Sequence, residues 1–263
     1  MKIIRVLCND GEIRFASLAS DNAEILKARS WEELTENKEL TGEVISMDDI
    51  RQVSVVNPSK VVAMACAFMP NPTEAFRPGI DRDPFFFLKP PSAIIGNGET
   101  IEVPPMAAGA VFESELAAVI GKTCKNVSAE TALDYVVGYT ICNDMSAPSV
   151  MQGDGQWSRG KGFDTFCPIG PVVSTDVVDP EDTLITANLK RGADVKQLVH
   201  ESTAAQIWSV AESIAYCSTH MTLEPGDVIS FGCPPGPIPV EDGDEVEVTI
   251  DGIGTLRNPV KQL

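Results

Sequence analysis

Histidine is almost missing from this chain: its 263 residues include two, His200 and His220. Zinc chemistry of the usual kinds therefore lacks ligands. Cations are scarce too, with 20 Lys and Arg against 38 Asp and Glu and a formal net charge of −18. That balance argues against a nucleic-acid groove or an anionic membrane surface as partner, since both need clustered Lys and Arg. A local basic pocket for a small anion is still compatible with it. No apolar stretch approaches the length that spans a bilayer. Charges interrupt the opening MKIIRVLCNDGEIRF too early for a signal-peptide core. The seven cysteines are odd in number and form no CxxC pair. They read as reduced, mostly buried thiols, so a cytoplasmic protein is expected. The chain also has no GxxxxGK[ST] phosphate loop, no GxGxxG dinucleotide turn and no Gly-x-Ser-x-Gly elbow.

What is present is the balance of an ordinary globular protein, 43% hydrophobic and 22% charged. The length suits one large domain, or one domain with a small partner. Residues 1–16 alternate apolar and polar around Asn9-Asp10-Gly11, a hairpin pattern. Ser30 three residues before Glu33 reads as a capping box opening a helix over 30–40, with Trp31 and Leu34 on one face. Residues 1–55 are expected to form a small strand-and-helix domain, with 56–263 as the main body. In the body, apolar runs are punctuated by Gly and Pro clusters. They fall at 61–68, 85–88, 116–120, 135–142, 168–173, 184–189, 228–231 and 246–250. The spacing predicts an α+β, mostly β roll or barrel-like body. Helices are expected at 128–134, capped by Ser128, and at about 203–220.

The run Val111-Phe112-Glu113-Ser114-Glu115-Leu116 carries the most chemistry. On a strand, Glu113 and Glu115 share a face. Two like charges so placed repel each other, and a cation between them would relieve that cost. On spacing alone, a solvated strand end is the simpler reading. Asp144 follows another apolar strand, where functional groups tend to be presented, or it is an Asn-Asp turn. Three carboxylates without His or Cys nearby suit a hard ion: Mg²⁺, Mn²⁺ or Ca²⁺.

These residues sit in a longer pattern. The run 112–122 resembles the E-x-E-L-A-x-x-I-G-K motif of the fumarylacetoacetate hydrolase family. So do Gly138-Tyr139-Thr140 with Asn143-Asp144-Met145-Ser146-Ala147, Trp157 through Pro171, Thr222-Leu223-Glu224-Pro225-Gly226-Asp227, and Gly254 through Pro259. The blocks appear in family order and cover about residues 57–260. The pattern is most similar to hydroxyheptadienedioate isomerase and decarboxylase-like members. The resemblance implies a mixed β-roll with a small N-terminal domain, a homodimer, and Mg²⁺ or Mn²⁺ held by Glu113, Glu115 and Asp144. It implies a 2-oxo or enol carboxylate substrate, handled through a stabilised enolate by decarboxylation, tautomerisation or double-bond isomerisation. Lys89 matches the family's F-x-K-P position and Lys161 a family lysine in the substrate pocket. Gln152 and Asp164 are supporting candidates, the latter as a brace for Lys161.

The chain departs from the pattern at three points. Hydrolytic members carry a His-x-x-Glu dyad on a lid. Here Glu74 matches, but Asn71 stands at the histidine position, and an amide cannot take up a proton near pH 7. Residues 69–84 read as a loop able to close over the site, with Arg77 and Arg82 on it. The Ser-Ala-Arg-Asp run reads Ser146-Ala147-Pro148-Ser149, without the arginine. Cys233 replaces a threonine that usually binds the substrate carboxylate. Base duty would then pass to Glu74, Lys161 or metal-bound water. The alternatives are a C–C hydrolase of acylpyruvate or fumarylacetoacetate type, and a catalytically silent carboxylate-binding homologue.

Overall fold

The computed structural model describes residues 1–47, 51–68, 83–177, 179–236 and 238–263. The chain opens with a β-meander: β1 (Lys2–Leu7), β2 (Ile13–Ala19), β3 (Asn22–Leu26), α1 (Trp31–Glu36), β4 (Leu40–Ser46) and the two-residue β5 (Arg51–Gln52). The expected hairpin is there, with Leu7 opposite Ile13 across the Asn9-Asp10-Gly11 turn. Helix α1 ends earlier than the 30–40 reading. Asn37 leaves the helical conformation at its C-cap, and Leu40 already starts β4. Its capping box is shifted. Ser30 accepts from the Glu33 amide, but the Glu33 carboxylate reaches the Arg29 amide, not that of Ser30.

The body continues with β6 (Val61–Ala65), β7 (Phe85–Lys89), β8 (Ile94–Ile95), β9 (Ile101–Val103), β10 (Ser114–Ile120), α2 (Ala129–Ala132), β11 (Val136–Asn143), α3 (Pro148–Asp154), α4 (Ser158–Lys161), β12 (Cys167–Ser174), β13 (Leu184–Arg191), β14 (Asp194–Ser202), α5 (Val210–His220), β15 (Val228–Ser230), β16 (Glu245–Ile250) and β17 (Gly254–Gln262). One large mixed sheet runs β4-β3-β2-β1-β12-β11-β10-β15-β6-β7, and a second runs β14-β13-β16-β17-β9. The fold is mostly β, as expected from punctuated short strands. The N-terminal meander is not a separate sheet: β1 pairs with β12 through Lys2–Ser174 and Ile3–Val173. Its buried Ile3, Phe15, Leu26, Trp31 and Leu34 share one apolar cluster with Val61, Val119, Val137 and Val173 of the body.

Two helix expectations are corrected. The pattern at 203–220 yields a 3-10 turn at 203–205 and then α5 from Val210. Between them, Ile207 donates to the Ala67 carbonyl at 2.7 Å, so this stretch follows the end of β6 instead of coiling. Ser209 then caps α5 in a complete box with Glu212. At 128–134, α2 and a following 3-10 turn are present, but Ser128 makes no side-chain cap. Strand β6 stops at Ala65, short of Phe68, because Cys66 turns left-handed at φ 51°. Helices α3 and α4, which carry Gln152 and Lys161, have no counterpart among the expected elements.

Candidate active site

Strands β10 and β11 are adjacent and antiparallel, with Ser114 opposite Asn143. That register places Glu113, just before β10, beside Asp144, just after β11. The Asp144 amide donates to the Glu113 carbonyl at 2.9 Å, and Asn143 Oδ1 accepts from the Glu113 amide at 3.2 Å. Because side chains alternate along a strand, Glu115 faces the same way as Glu113. Carboxylate oxygens of Glu113, Glu115 and Asp144 lie within 4.8 Å of one another. Glu115 and Asp144 are buried, and Glu113 is partly open.

Each carboxylate is oriented by further groups. Ser146 Oγ donates to Glu113 Oε1 at 2.6 Å. The Glu115 carboxylate accepts from Ser230 Oγ and from the Gly232 amide, the latter at 3.1 Å. Lys89 Nζ donates to Asp144 and to the Met145 carbonyl, the latter at 3.1 Å. Lys161 Nζ bridges Asp144 and Glu113, reaching Glu113 Oε2 at 2.8 Å. It also lies 4.7 Å from the centre of the Phe87 ring, within cation–π range. Both lysines are buried.

This crowding sets the protonation states. Burial pushes the Glu115 carboxyl well up, and the Asp144 and Glu113 charges add to the rise. Burial alone would also raise Asp144, but Lys161 and Lys89 outweigh it and hold that carboxyl low. Burial alone would lower the Lys161 ammonium; Asp144, Glu113 and Glu115 overcome it and keep it protonated. The Cys233 thiol is driven up by burial, then by Glu113 and Glu115, so it is a neutral thiol and not a thiolate nucleophile.

The three carboxylates open onto a cleft of about 420 Å³. Its walls are mainly apolar, from Met64, Phe68, Phe87, Met151, Trp157 and Pro234, with Lys161 and Cys233 among them. Gln152 and Asp164 are exposed and line no part of this cleft. Lys161 is braced by Glu113 and Asp144, not by Asp164. Glu74, Asn71, Arg77 and Arg82 lie outside the described residues. Both histidines are exposed and away from the cleft, His200 on β14 and His220 at the end of α5.

Sequence reasoning missed Ser146, Ser230, Gly232, Phe87 and Trp157 as parts of the site. Ser146 and Trp157 stood inside recognised blocks without a role. Ser230 lies inside the apolar run 228–231, where a lone hydroxyl is a weak signal of its own.

The donor set is all oxygen, confined, and short of positive charge without a third cation. It fits a hard divalent ion better than a thiophilic or imidazole-seeking one. The arrangement thus defines a class: a carboxylate trio able to hold such an ion at the polar end of an apolar cleft in a β fold. Comparison with known proteins agrees. Residues 60–261 match the family described as "Fumarylacetoacetate (FAA) hydrolase C-terminal", so the chain belongs to the fumarylacetoacetate hydrolase family, whose members are enzymes. The 5-carboxymethyl-2-hydroxymuconate delta-isomerase from Mycobacterium smegmatis is similar over 100% of both chains, at 36% identity and a TM-score of 0.89. The 2-hydroxyhepta-2,4-diene-1,7-dioate isomerase from Mycobacterium marinum is similar at 38% identity and a TM-score of 0.86, covering 100% of this chain and 98% of that one. The maleylpyruvate hydrolase from Sphingobium sp. SYK-6, in complex with manganese(II) and pyruvate, is similar at 27% identity and a TM-score of 0.80, over 100% and 99% of the two chains.

Proposed function

We propose that this chain is a divalent-metal-dependent enzyme that acts on a 2-oxo or enol carboxylate through an enolate, in the manner of a tautomerase, double-bond isomerase or decarboxylase. The observation that carries this reading is the meeting of Glu113, Glu115 and Asp144 in one apolar cleft beside a protonated lysine. Those three residues would hold Mg²⁺ or Mn²⁺. When bound, the ion would supply a Lewis acid that stabilises negative charge on the substrate's oxygens.

The chain's own groups divide the remaining work. Lys161 is a charged donor held over the Phe87 ring, placed to hydrogen-bond an anionic oxygen. In the metal-free chain Asp144, Glu113 and Glu115 favour its ammonium form, which suits a donor. Lys89 orients Asp144 by gripping both that carboxylate and the neighbouring Met145 carbonyl. The Phe87, Trp157 and Met64 walls exclude water, which strengthens every charge interaction inside. Cys233 places a neutral thiol where the family has a hydroxyl, and in this structure its S–H donates to the Pro234 carbonyl at 3.0 Å. Proton removal from substrate carbon falls to Glu74.

Two features favour this class over a C–C hydrolase. Asn71 stands where hydrolytic relatives carry their histidine, and no histidine lines the cleft among the described residues. The named isomerases of this fold support the same reading. The assay is turnover of oxaloacetate, an acylpyruvate and an unsaturated dienedioate, with metal stripped and restored. Restored turnover on at least one, lost in Glu113→Gln, is expected. Absence of any metal-dependent turnover would remove the proposal. We also propose a homodimer, with the outer strand β7 and its exposed Phe85 and Leu88 as the contact surface. Sedimentation velocity reads its mass directly.

A further inference from the structure

A second pocket, of about 240 Å³, lies where the first hairpin and the start of α1 meet the body. Arg5, Arg14 and Arg29 line it together with Phe15, Trp31 and Asn57. Phe15 and Trp31 form a T-shaped pair 4.7 Å apart. None of these residues belongs to the carboxylate cleft.

Three arginines in one small pocket are unexpected in a chain with 38 acids to 20 bases. Their pairing is more telling. Six arginines have described side chains: Arg5, Arg14, Arg29, Arg159, Arg191 and Arg257. Four of them hold a carboxylate: Arg14 with Asp10, Arg159 with Asp154, Arg191 with Asp244 and Glu241, and Arg257 with Glu247. The two that hold none among the described residues, Arg5 and Arg29, are both in this pocket. Arg5 is half-buried, and its guanidinium spends one hydrogen bond on the Ser54 carbonyl at 3.0 Å. A guanidinium has five N–H donors in a fork that matches an oxyanion. Burial pushes the Arg5 guanidinium down, and no acid among the described residues relieves it. A partly desolvated cation without a counter-charge is costly to keep. Arg29, on the loop before α1, is exposed, and its guanidinium holds no carboxylate among the described residues.

We propose that this pocket binds a small oxyanion, a phosphate or a carboxylate, gripped by Arg5 and Arg29 above the Phe15–Trp31 pair. The proposal is independent of the reaction in the carboxylate cleft. The anion would supply the counter-charge that the fold withholds, and it would bridge the N-terminal meander to Asn57 of the body.

The test is calorimetric titration of inorganic phosphate, and separately of acetate, into the metal-free full-length protein. Saturable binding of one or both is expected, and the stronger of the two names the source of the oxyanion. Arg29→Gln should weaken it about ten-fold, the usual effect of removing one charge-assisted hydrogen bond. Arg29 is exposed, so this variant keeps its fold. Arg257→Gln removes one positive charge elsewhere and should leave binding unchanged. Trp31 supplies a second readout, a change in its fluorescence on titration that Arg29→Gln displaces to higher concentration. Saturable binding of neither anion, or equal weakening by Arg29→Gln and Arg257→Gln, would overturn the proposal.

Discussion

Glu115 and Asp144 are neighbouring carboxylates with opposite titration behaviour, and the difference lies in their partners. Asp144 has two ammonium groups against it; Glu115 has a hydroxyl and an amide. The Glu115 carboxyl titrates higher in the folded than in the unfolded chain. Between those two values the folded state holds the extra proton, so metal-free stability falls as pH rises through that window. One such proton gives a slope of about 1.4 kcal/mol per pH unit. Asp144 works in the other direction, contributing stability above its unfolded value that is lost as pH drops toward its lowered one. Urea denaturation of the metal-free protein, followed upward from the ordinary carboxylate range, should show the decline, and Glu115→Gln should flatten it. Metal binding needs the ionised carboxylate, so affinity for Mg²⁺ should rise with pH and binding should release protons, read by titration in buffers of different ionisation enthalpy. Lys89 supports the same site. Its Nζ and the Asp144 carboxylate are both buried. Lys89→Met strands part of a buried charge and should lower stability by about 3 kcal/mol, measured by denaturant unfolding.

At the scale of elements, the site depends on a turn as much as on strands. The segment after β15 must return close to β6 so that the Gly232 amide can reach Glu115. Gly232 has φ 84°, and a Cβ there would stand 2.6 Å from Ala67 Cβ and 3.2 Å from the Met64 carbonyl. Gly232→Ala should therefore cost roughly 2 kcal/mol. It should also weaken metal binding, because the displaced amide no longer meets Glu115. Calorimetry of Mn²⁺ binding alongside a thermal melt separates the two effects. By contrast, Ser209→Ala removes only the α5 cap and should cost about 1 kcal/mol without touching metal affinity. These elements were unequally legible. Strands β10, β11 and β16 announced themselves as apolar runs between glycine and proline clusters. Helices α3 and α4 did not, because they are short and rich in Gly, Ser and polar residues that carry no helical period. The 203–209 stretch carried a helical pattern yet was captured by the segment after β6, where the Ala67 carbonyl takes the Ile207 amide.

Over the whole molecule, the meander at the N-terminus is joined to the body through the β1–β12 pairing and a shared apolar cluster. A boundary near residue 55 is a change of local pattern along the chain, while the packing runs across it. The shared core predicts one cooperative transition, coincident by far-ultraviolet circular dichroism and by fluorescence. Two separated transitions would show that the meander unfolds alone. Among the described residues, no helix is long and apolar enough to cross a membrane.

Local chemistry was written in the chain order. The alternation of Glu113 and Glu115, the acid closing the next apolar run and the punctuated strands each depend on neighbours a few residues apart. Their physical cause is the period of the β-strand and the conformational limits of glycine and proline. Only the tertiary structure decided that Glu113 and Asp144, not Asp164, brace Lys161, that Gln152 stays outside the cleft, and that Ser230 and Gly232 serve Glu115. It alone brought Arg5 and Arg29 into one pocket with neither guanidinium paired to an acid among the described residues. Those outcomes rest on contacts between residues far apart in sequence, set by sheet register and burial, and no short-range pattern encodes them.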